Sequence, residues 1–184
     1  MGNWQLDPYH TQVEFSAKHL GMMTVRGYFD EVSTTAEIDP DHPETASVEA
    51  TISTASIRTN NGVRDNDLRS SNFLEVDKFP VITFKSTGAE PSGPDRYALT
   101  GDLTIKGNTR PVTLQVTKYG EFNDPGMMGH RIAYSAATKI NRKDFGLSFS
   151  MVLDGRFVVS EEIQIMIEGE IVEQKQEATE TATS

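Results

Sequence analysis

Ile163, Ile165, Ile167 and Ile171 alternate with Gln164, Met166, Glu168 and Glu170. A strand turns successive side chains to opposite faces, so this stretch has one dry face and one mostly wet face. The same two-residue rhythm recurs along the chain. Val13, Phe15, Ala17 and His19 share a face, opposite Glu14, Ser16 and Lys18. After a turn at Gly21-Met22-Met23, Val25, Gly27 and Phe29 continue the apolar side, and the chain runs on from Val32 to Ile38. Val48, Ala50 and Ile52 follow, then Ile82 and Phe84, then Tyr97, Leu99, Gly101, Leu103 and Ile105. Val112, Leu114 and Val116 form the next face, and Ile132, Tyr134, Ala136, Thr138 and Ile140 another. Sheets that face water on one side only are antiparallel.

Breaks in the rhythm mark the connections. DPDHPE at 39–44 is a loop by its prolines and acids. KGN at 106–108 is a tight hairpin, because Gly and Asn tolerate positive φ. A longer loop is expected over 143–155, and a last strand from Phe157 to Val172. Between 61 and 71, Leu68 follows Arg64 by four residues and Arg69 follows Asp65 by four, which predicts one short helix ended before Pro80. About eight antiparallel strands with one inserted helix fit a closed all-β barrel, which leaves no edge exposed. A two-sheet sandwich shares the pattern and is the alternative. Residues 1–172 read as one domain, and 173–184, without a large apolar side chain, as a disordered polar tail.

With 27 acidic against 17 basic residues the net charge is −10, which disfavours nucleic acid and anionic membrane. There is no cysteine, hence no disulfide or thiolate metal site. The first residues carry neither a basic n-region nor an apolar h-region, so a cytoplasmic location is expected, or a periplasmic or secreted one if a signal has been removed.

What fills the dry side decides the function. Ala17, Gly27, Ala50, Gly101, Ala136 and Gly169 each stand between bulkier inward residues, which would leave room along the axis or simply fit the barrel's taper. The candidate ligand-contacting residues are therefore Phe15, Ala17, His19, Gly27, Phe29, Ala50, Ile52, Phe84, Leu99, Gly101, Leu103, Leu114, Tyr134, Ala136, Arg142, Ile165 and Ile167. His19 and Arg142 fall on inward parity near strand ends. Each is a candidate polar contact at a pocket mouth, or a group satisfied by the protein itself, with Asp65 the natural partner of Arg142. His10, His19, His42 and His130 lie in separate segments without metal-ligand spacing, so no metal is expected. No nucleophile elbow, phosphate loop or dinucleotide fingerprint is present, so no catalysis is expected. Met22-Met23 and Met127-Met128 would suit a pocket entrance, a dimer contact or loop packing.

The order W-x-L-D-x-x-H-T-x-V-x-F-x-x-K-H-L, T-V-x-G-x-F, RDNDLRSSNF, FPVITFKS, LTGDLTIKGNTRPVTL and INRKDFGL resembles the YceI-like, polyisoprenoid-binding family over residues 4–172. The resemblance implies a lipocalin-like barrel with a helix after the third strand and a long apolar channel for an isoprenoid or similar lipid. It implies that His19, Arg64, Asp65, Arg69 and Arg142 stand at characteristic polar positions. The family often has His where this chain has Asp67, and Asp where it has Asn72. Members are often dimers, many are exported, and some accompany stress responses. The expected function is non-catalytic carriage or sequestration of a quinone or prenyl diphosphate type of isoprenoid. The alternatives are a binder of fatty acids or fatty amides, or an accessory enzyme of lipid metabolism. No cofactor is expected beyond such a lipid. A homodimer and transient membrane contact are compatible with this reading.

Overall fold

The computed structural model describes residues 2–39 and 42–174. Its strands are β1 (Gly2–His19), β2 (Met23–Phe29), β3 (Val32–Ile38), β4 (Ser47–Ser53), β5 (Ile57–Arg58), β6 (Val81–Gly93), β7 (Arg96–Ile105), β8 (Asn108–Asp124), β9 (Gly129–Asn141), β10 (Val152–Leu153), β11 (Arg156–Phe157) and β12 (Glu162–Gln174), and its helix is α1 (Gly62–Arg69). Neighbours in the main sheet run β12-β9-β8-β7-β6-β4-β3-β1, and β1 then pairs with β12. Eight antiparallel strands thus close on themselves, and the sandwich is excluded. β1 spans two neighbours: its first residues pair with β3, and Val13–His19 pair with β2, which carries β5 on its other side.

Closure requires β1 to bend. Against β12, Leu6 faces Ile171 but Thr11 faces Gly169, so residues 7–10 bulge out of the ladder. Asp7 folds the bulge over itself. Its carboxylate accepts from the Tyr9 amide (2.9 Å), and its carbonyl accepts from the Thr11 hydroxyl (2.5 Å). The predicted hairpin at 106–108 is present: Lys106 and Gly107 have φ of 50° and 74°, the two-residue turn whose twist matches that of its strands.

Two boundaries differ from expectation. The last strand begins at Glu162 rather than Phe157, because a turn at Asp154 and Gly155 (φ 49° and 72°) folds β10 and β11 into a separate hairpin. It also runs two residues past Val172, with Asn3 facing Gln174. Residues 175–184, most of the expected tail, lie outside the described residues.

The helix is placed as predicted. The Asn61 side chain caps it by accepting from the Arg64 amide (3.1 Å), with Asp65 in the first turn and Arg69 in the last. Eight residues cannot hold a helix alone. Arg69 donates to the carbonyls of Ala55 (2.9 Å) and Ile57 (2.6 Å), and Arg64 to the hydroxyl and carbonyl of Thr59 (2.7 and 3.0 Å). Buried Asp65 accepts from the Thr59 amide (2.8 Å) and hydroxyl (2.5 Å). These bonds fasten α1 across one end of the barrel.

Two glycines are packing requirements. A Cβ on Gly101 would lie 2.5 Å from both the Phe84 ring and the Lys85 carbonyl oxygen, and one on Gly27 would overlap the Phe15 ring. Gly101→Ala should therefore lower stability by ~1–3 kcal/mol through overpacking. Chemical denaturation tests this, and an unchanged midpoint would mean that β6 yields freely.

Candidate ligand-binding cavity

The inward side chains do not fill the barrel. They enclose a cavity of about 990 Å³. Its wall is drawn from all eight ring strands and includes Phe15, Ala50, Ile52, Phe84, Leu103 and Ile165. Such a volume lies at the upper end of the range for small-molecule pockets. Thr34 and Thr138 interrupt the apolar wall with hydroxyls.

At one end, Trp4 (1% exposed), Ala36, Ile132 and Ile171 pack into a buried plug, and the segment carrying Pro43 and Ala46 lies beside it. At the other end the wall reaches solvent at Lys18, His19, Asn61, Val63 and Arg64, between the β1 terminus and α1. This is the mouth. Exposed apolar side chains flank it: Val63 (84%), Met23 (69%) and Phe157 (43%), with Met22 and Leu153 nearby. The β10–β11 hairpin is tied there through Val158, whose carbonyl accepts from the Leu20 amide (3.3 Å) and whose amide donates to Met151 (2.9 Å). The pair Met22-Met23 is therefore beside the entrance, whereas Met127-Met128 lies in the turn between β8 and β9 at the other end of the strands.

Of the residues picked from the sequence, Phe15, Ala17, His19, Phe29, Ala50, Ile52, Phe84, Leu99, Leu103, Leu114, Tyr134, Ala136, Arg142, Ile165 and Ile167 all lie on the cavity wall. Gly27 and Gly101 do not: the space above each is taken by the ring of Phe15 or Phe84, so neither is clearance for a ligand. Gly169 is likewise covered, by Thr11 and Leu6. The alanines are the small residues that open onto the cavity.

Arg142 lies on the wall where the strand ends at Asn141 and a 3-10 turn starts, and it is satisfied by the protein itself, though not by the expected partner. It is 2% exposed, and its guanidinium donates to the carbonyls of Ser160 (3.0 Å), Phe149 (2.8 Å) and Leu147, with longer bonds to Val159 and Ser150. Asp65 is committed to Thr59 and is not its partner. Arg142 thus clamps the two loop segments that form the mouth. His19 is exposed at the rim, its Nδ1 3.1 Å from the Val158 carbonyl. Asp67, on the wall, accepts from Asn72 (2.8 Å).

Polar groups gather at the plugged end. Tyr97 on β7, Lys118 on β8 and Tyr134 on β9 all line the cavity; the sequence pattern places both tyrosines inward and Tyr134 among the candidates, but passes over Lys118. The signal was available, since Lys118 continues the parity of Val112, Leu114 and Val116. Lys118 Nζ is 2.5 Å from Glu121, and His130 joins Glu121 (2.6 Å) to Glu173 (2.9 Å), with its ring edge-on to Trp4 at 4.8 Å. Burial disfavours charge on His130, but the hydrogen bonds to both glutamates outweigh it and raise its pKa above the ordinary 6.5. Burial pushes the Tyr134 phenol up to about 12.

Among the described residues, one donor set could hold a cation: Asp7, His10 and Glu170 bring their ligand atoms within 4.8 Å of one another. The fold assembles this set across distant segments, which spacing could not reveal. Arg131 already bridges the two carboxylates, at 2.6 Å from Asp7 and 3.0 Å from Glu170. Burial would raise the Asp7 pKa, but Arg131 and His10 hold it well below the usual carboxylate range. The set works as an ion-pair network that fastens the β1 bulge to β9 and β12.

A closed antiparallel barrel around an apolar cavity, entered beside one helix, belongs to the lipocalin-like class. Comparison with known proteins narrows this. The YceI-like domain matches residues 4–171, and the chain belongs to that family. It is 38% identical over 166 residues to Protein YceI of Salmonella arizonae, covering 90% of this chain and 83% of that protein. A Campylobacter jejuni YceI crystal structure superposes with a TM-score of 0.74 at 29% identity, covering 86% of this chain and 90% of that one. Burkholderia cenocepacia BcnA (TM-score 0.78, 22% identity, 90% and 98% covered) shares the fold. So does a polyisoprenoid binding domain from Saccharophagus degradans (TM-score 0.70, 15% identity, 95% and 100% covered).

Two outcomes follow from these contacts. Arg142→Met should lower stability by ~2 kcal/mol, because it removes several charge-assisted bonds to half-buried carbonyls, and should speed proteolysis between 147 and 160. Lysine should not rescue it, lacking the planar fork. Loops that remain protected in the methionine variant would remove the clamp role. The His130 contribution to stability is complete below about pH 6.5 and is lost as pH rises through its higher folded value. Melting temperature should therefore fall as pH rises above about 6.5, and His130→Gln should flatten that part of the profile.

Proposed function

We propose that this chain is a non-catalytic carrier that takes a long apolar chain of isoprenoid type into the barrel. The carrying observation is the cavity itself: about 990 Å³, walled mainly by aliphatic and aromatic side chains, with an entrance at one end. A roomy apolar cavity offers water few hydrogen-bond partners, so an apolar occupant suits it better. Membership of the YceI-like family supports the reading, as does the polyisoprenoid-binding relative of the same fold. The non-catalytic part rests on the wall's hydroxyls: the one bonded to a carboxylate among the described residues, Thr59 on Asp65, also accepts from Arg64 and is taken up in fastening α1. Fatty acids or fatty amides would satisfy the same apolar wall and are the second reading.

The exposed apolar side chains at the mouth suit brief docking on a lipid surface, since they are continuous with the entrance the ligand must use. With a net charge of −10, the surface should be neutral rather than anionic. Leu153→Asp with Phe157→Asp should abolish sedimentation with phosphatidylcholine vesicles. If the pair instead converts a dimer to a monomer, this face meets a second copy.

Each buried CH₂ contributes about 0.8 kcal/mol before ordering costs. Affinity should therefore climb along a series of prenyl or acyl chains and level off when the cavity is full. Ala50→Leu or Ala136→Leu, shown to be folded, should move that plateau to shorter chains. Mass spectrometry of lipid extracted from the purified protein should identify a long-chain species. A flat dependence on chain length, with no lipid recovered, would overturn the reading.

A further inference from the structure

The plugged end of the cavity is the wrong place for polar side chains if it receives only hydrocarbon. Yet three adjacent strands turn polar groups inward there. Lys118 faces Tyr134 directly in the β8–β9 register, and Tyr97 faces Val116, two residues before Lys118, in the β7–β8 register. All three side chains line the cavity. Lys118 is satisfied by Glu121 at 2.5 Å. The Tyr97 and Tyr134 hydroxyls have no hydrogen-bond partner among the described residues. A partly buried phenol ordinarily finds one.

The geometry points to a headgroup subsite at this plugged end, in which Tyr97 and Tyr134 donate to an uncharged acceptor oxygen of the ligand, as in a ketone, quinone or amide. This rests on the chain-binding reading above and fixes the orientation of the ligand: head inward against the Trp4 plug, tail toward His19 and α1. That is the reverse of the arrangement in which a head would sit at the mouth.

Charge selects the class. Lys118 is the cationic wall residue at this end, and Glu121 already neutralises it. Glu173 adds a second carboxylate behind His130. A diphosphate would bring several negative charges beside these carboxylates, and among the described residues that line the cavity at this end no cation is left unpaired to receive them. A neutral carbonyl needs only donors, and the two phenols supply them. Burial of Tyr134 keeps its proton in place far into the alkaline range, so the donor persists at any ordinary pH.

Tyr→Phe removes a hydroxyl and leaves the ring, and no described partner is orphaned. The test uses the full chain and a displaceable fluorescent probe. Three competitors of equal length are compared: a long-chain methyl ketone, the alkane and the fatty acid. The parent should bind the ketone about fivefold tighter than the alkane, the scale of one hydrogen bond. The double variant Tyr97→Phe, Tyr134→Phe should erase that preference, so that ketone and alkane bind alike, with melting temperature unchanged. Equal binding of ketone and alkane by the parent would overturn the subsite while the chain-binding reading stands. So would a ketone preference that survives in the double variant, or a fatty acid that binds tightest and depends on Lys118. If neither ketone nor alkane displaces the probe, the chain-binding reading fails and the subsite with it.

Discussion

The pairing of β1 with β12 is the constraint on which the molecule depends. Without it the sheet has two long edges, an exposed apolar face and no enclosed space. With it, every ring strand has two neighbours and the interior is walled off from water along its sides. Its partners lie at opposite ends of the chain: Val13 faces Ile167 and Phe15 faces Ile165. The closing ladder therefore cannot form until nearly all of the chain is available, and such non-local pairing is slow to fold. The β1 bulge and its ion pairs reinforce this seam. Arg131 reaches Asp7, 124 residues away in sequence, and Glu170 on β12 with the same guanidinium nitrogen.

The ring was legible because a two-residue period reports directly which side chains share a face. That sufficed to place Phe15, Leu103 and Ile165 on the inside and to find α1 within two residues of its ends. Periodicity does not say what a side chain bonds. Arg142 has the inward parity of Ile140 and lines the cavity, but its guanidinium is taken up by the carbonyls of the mouth loops. Periodicity fails where one pleat is filled by its neighbour. Gly27 and Gly101 have inward parity, but their space belongs to Phe15 and Phe84. The β10–β11 hairpin, with two-residue strands, is too short to carry a period at all. The Asp7–Arg131–Glu170 network was invisible because its members meet only through the register of three strands.

A common thread joins the polar positions that the family resemblance singles out. Arg64, Arg69 and Arg142 each donate to backbone carbonyls, and Asp65 accepts from a backbone amide. These are long-armed groups that satisfy irregular backbone where the ladder has run out. Their place near the entrance follows from that task, since the non-repetitive segments gather there. The Asp67–Asn72 hydrogen bond adds to this. Asp67 and Asn72 thus hold the helix end together through their own side chains.

The chain contains one tryptophan, and the fold buries it in the plug with its ring against His130. Its emission is therefore an optical report from one end of the molecule, uncontaminated by any other indole. An imidazolium in contact with an indole quenches it, so intensity follows the protonation of His130 without a label. Loss of the plug would shift the spectrum toward that of a wet indole. The barrel thus carries its own gauge of whether its far end is sealed.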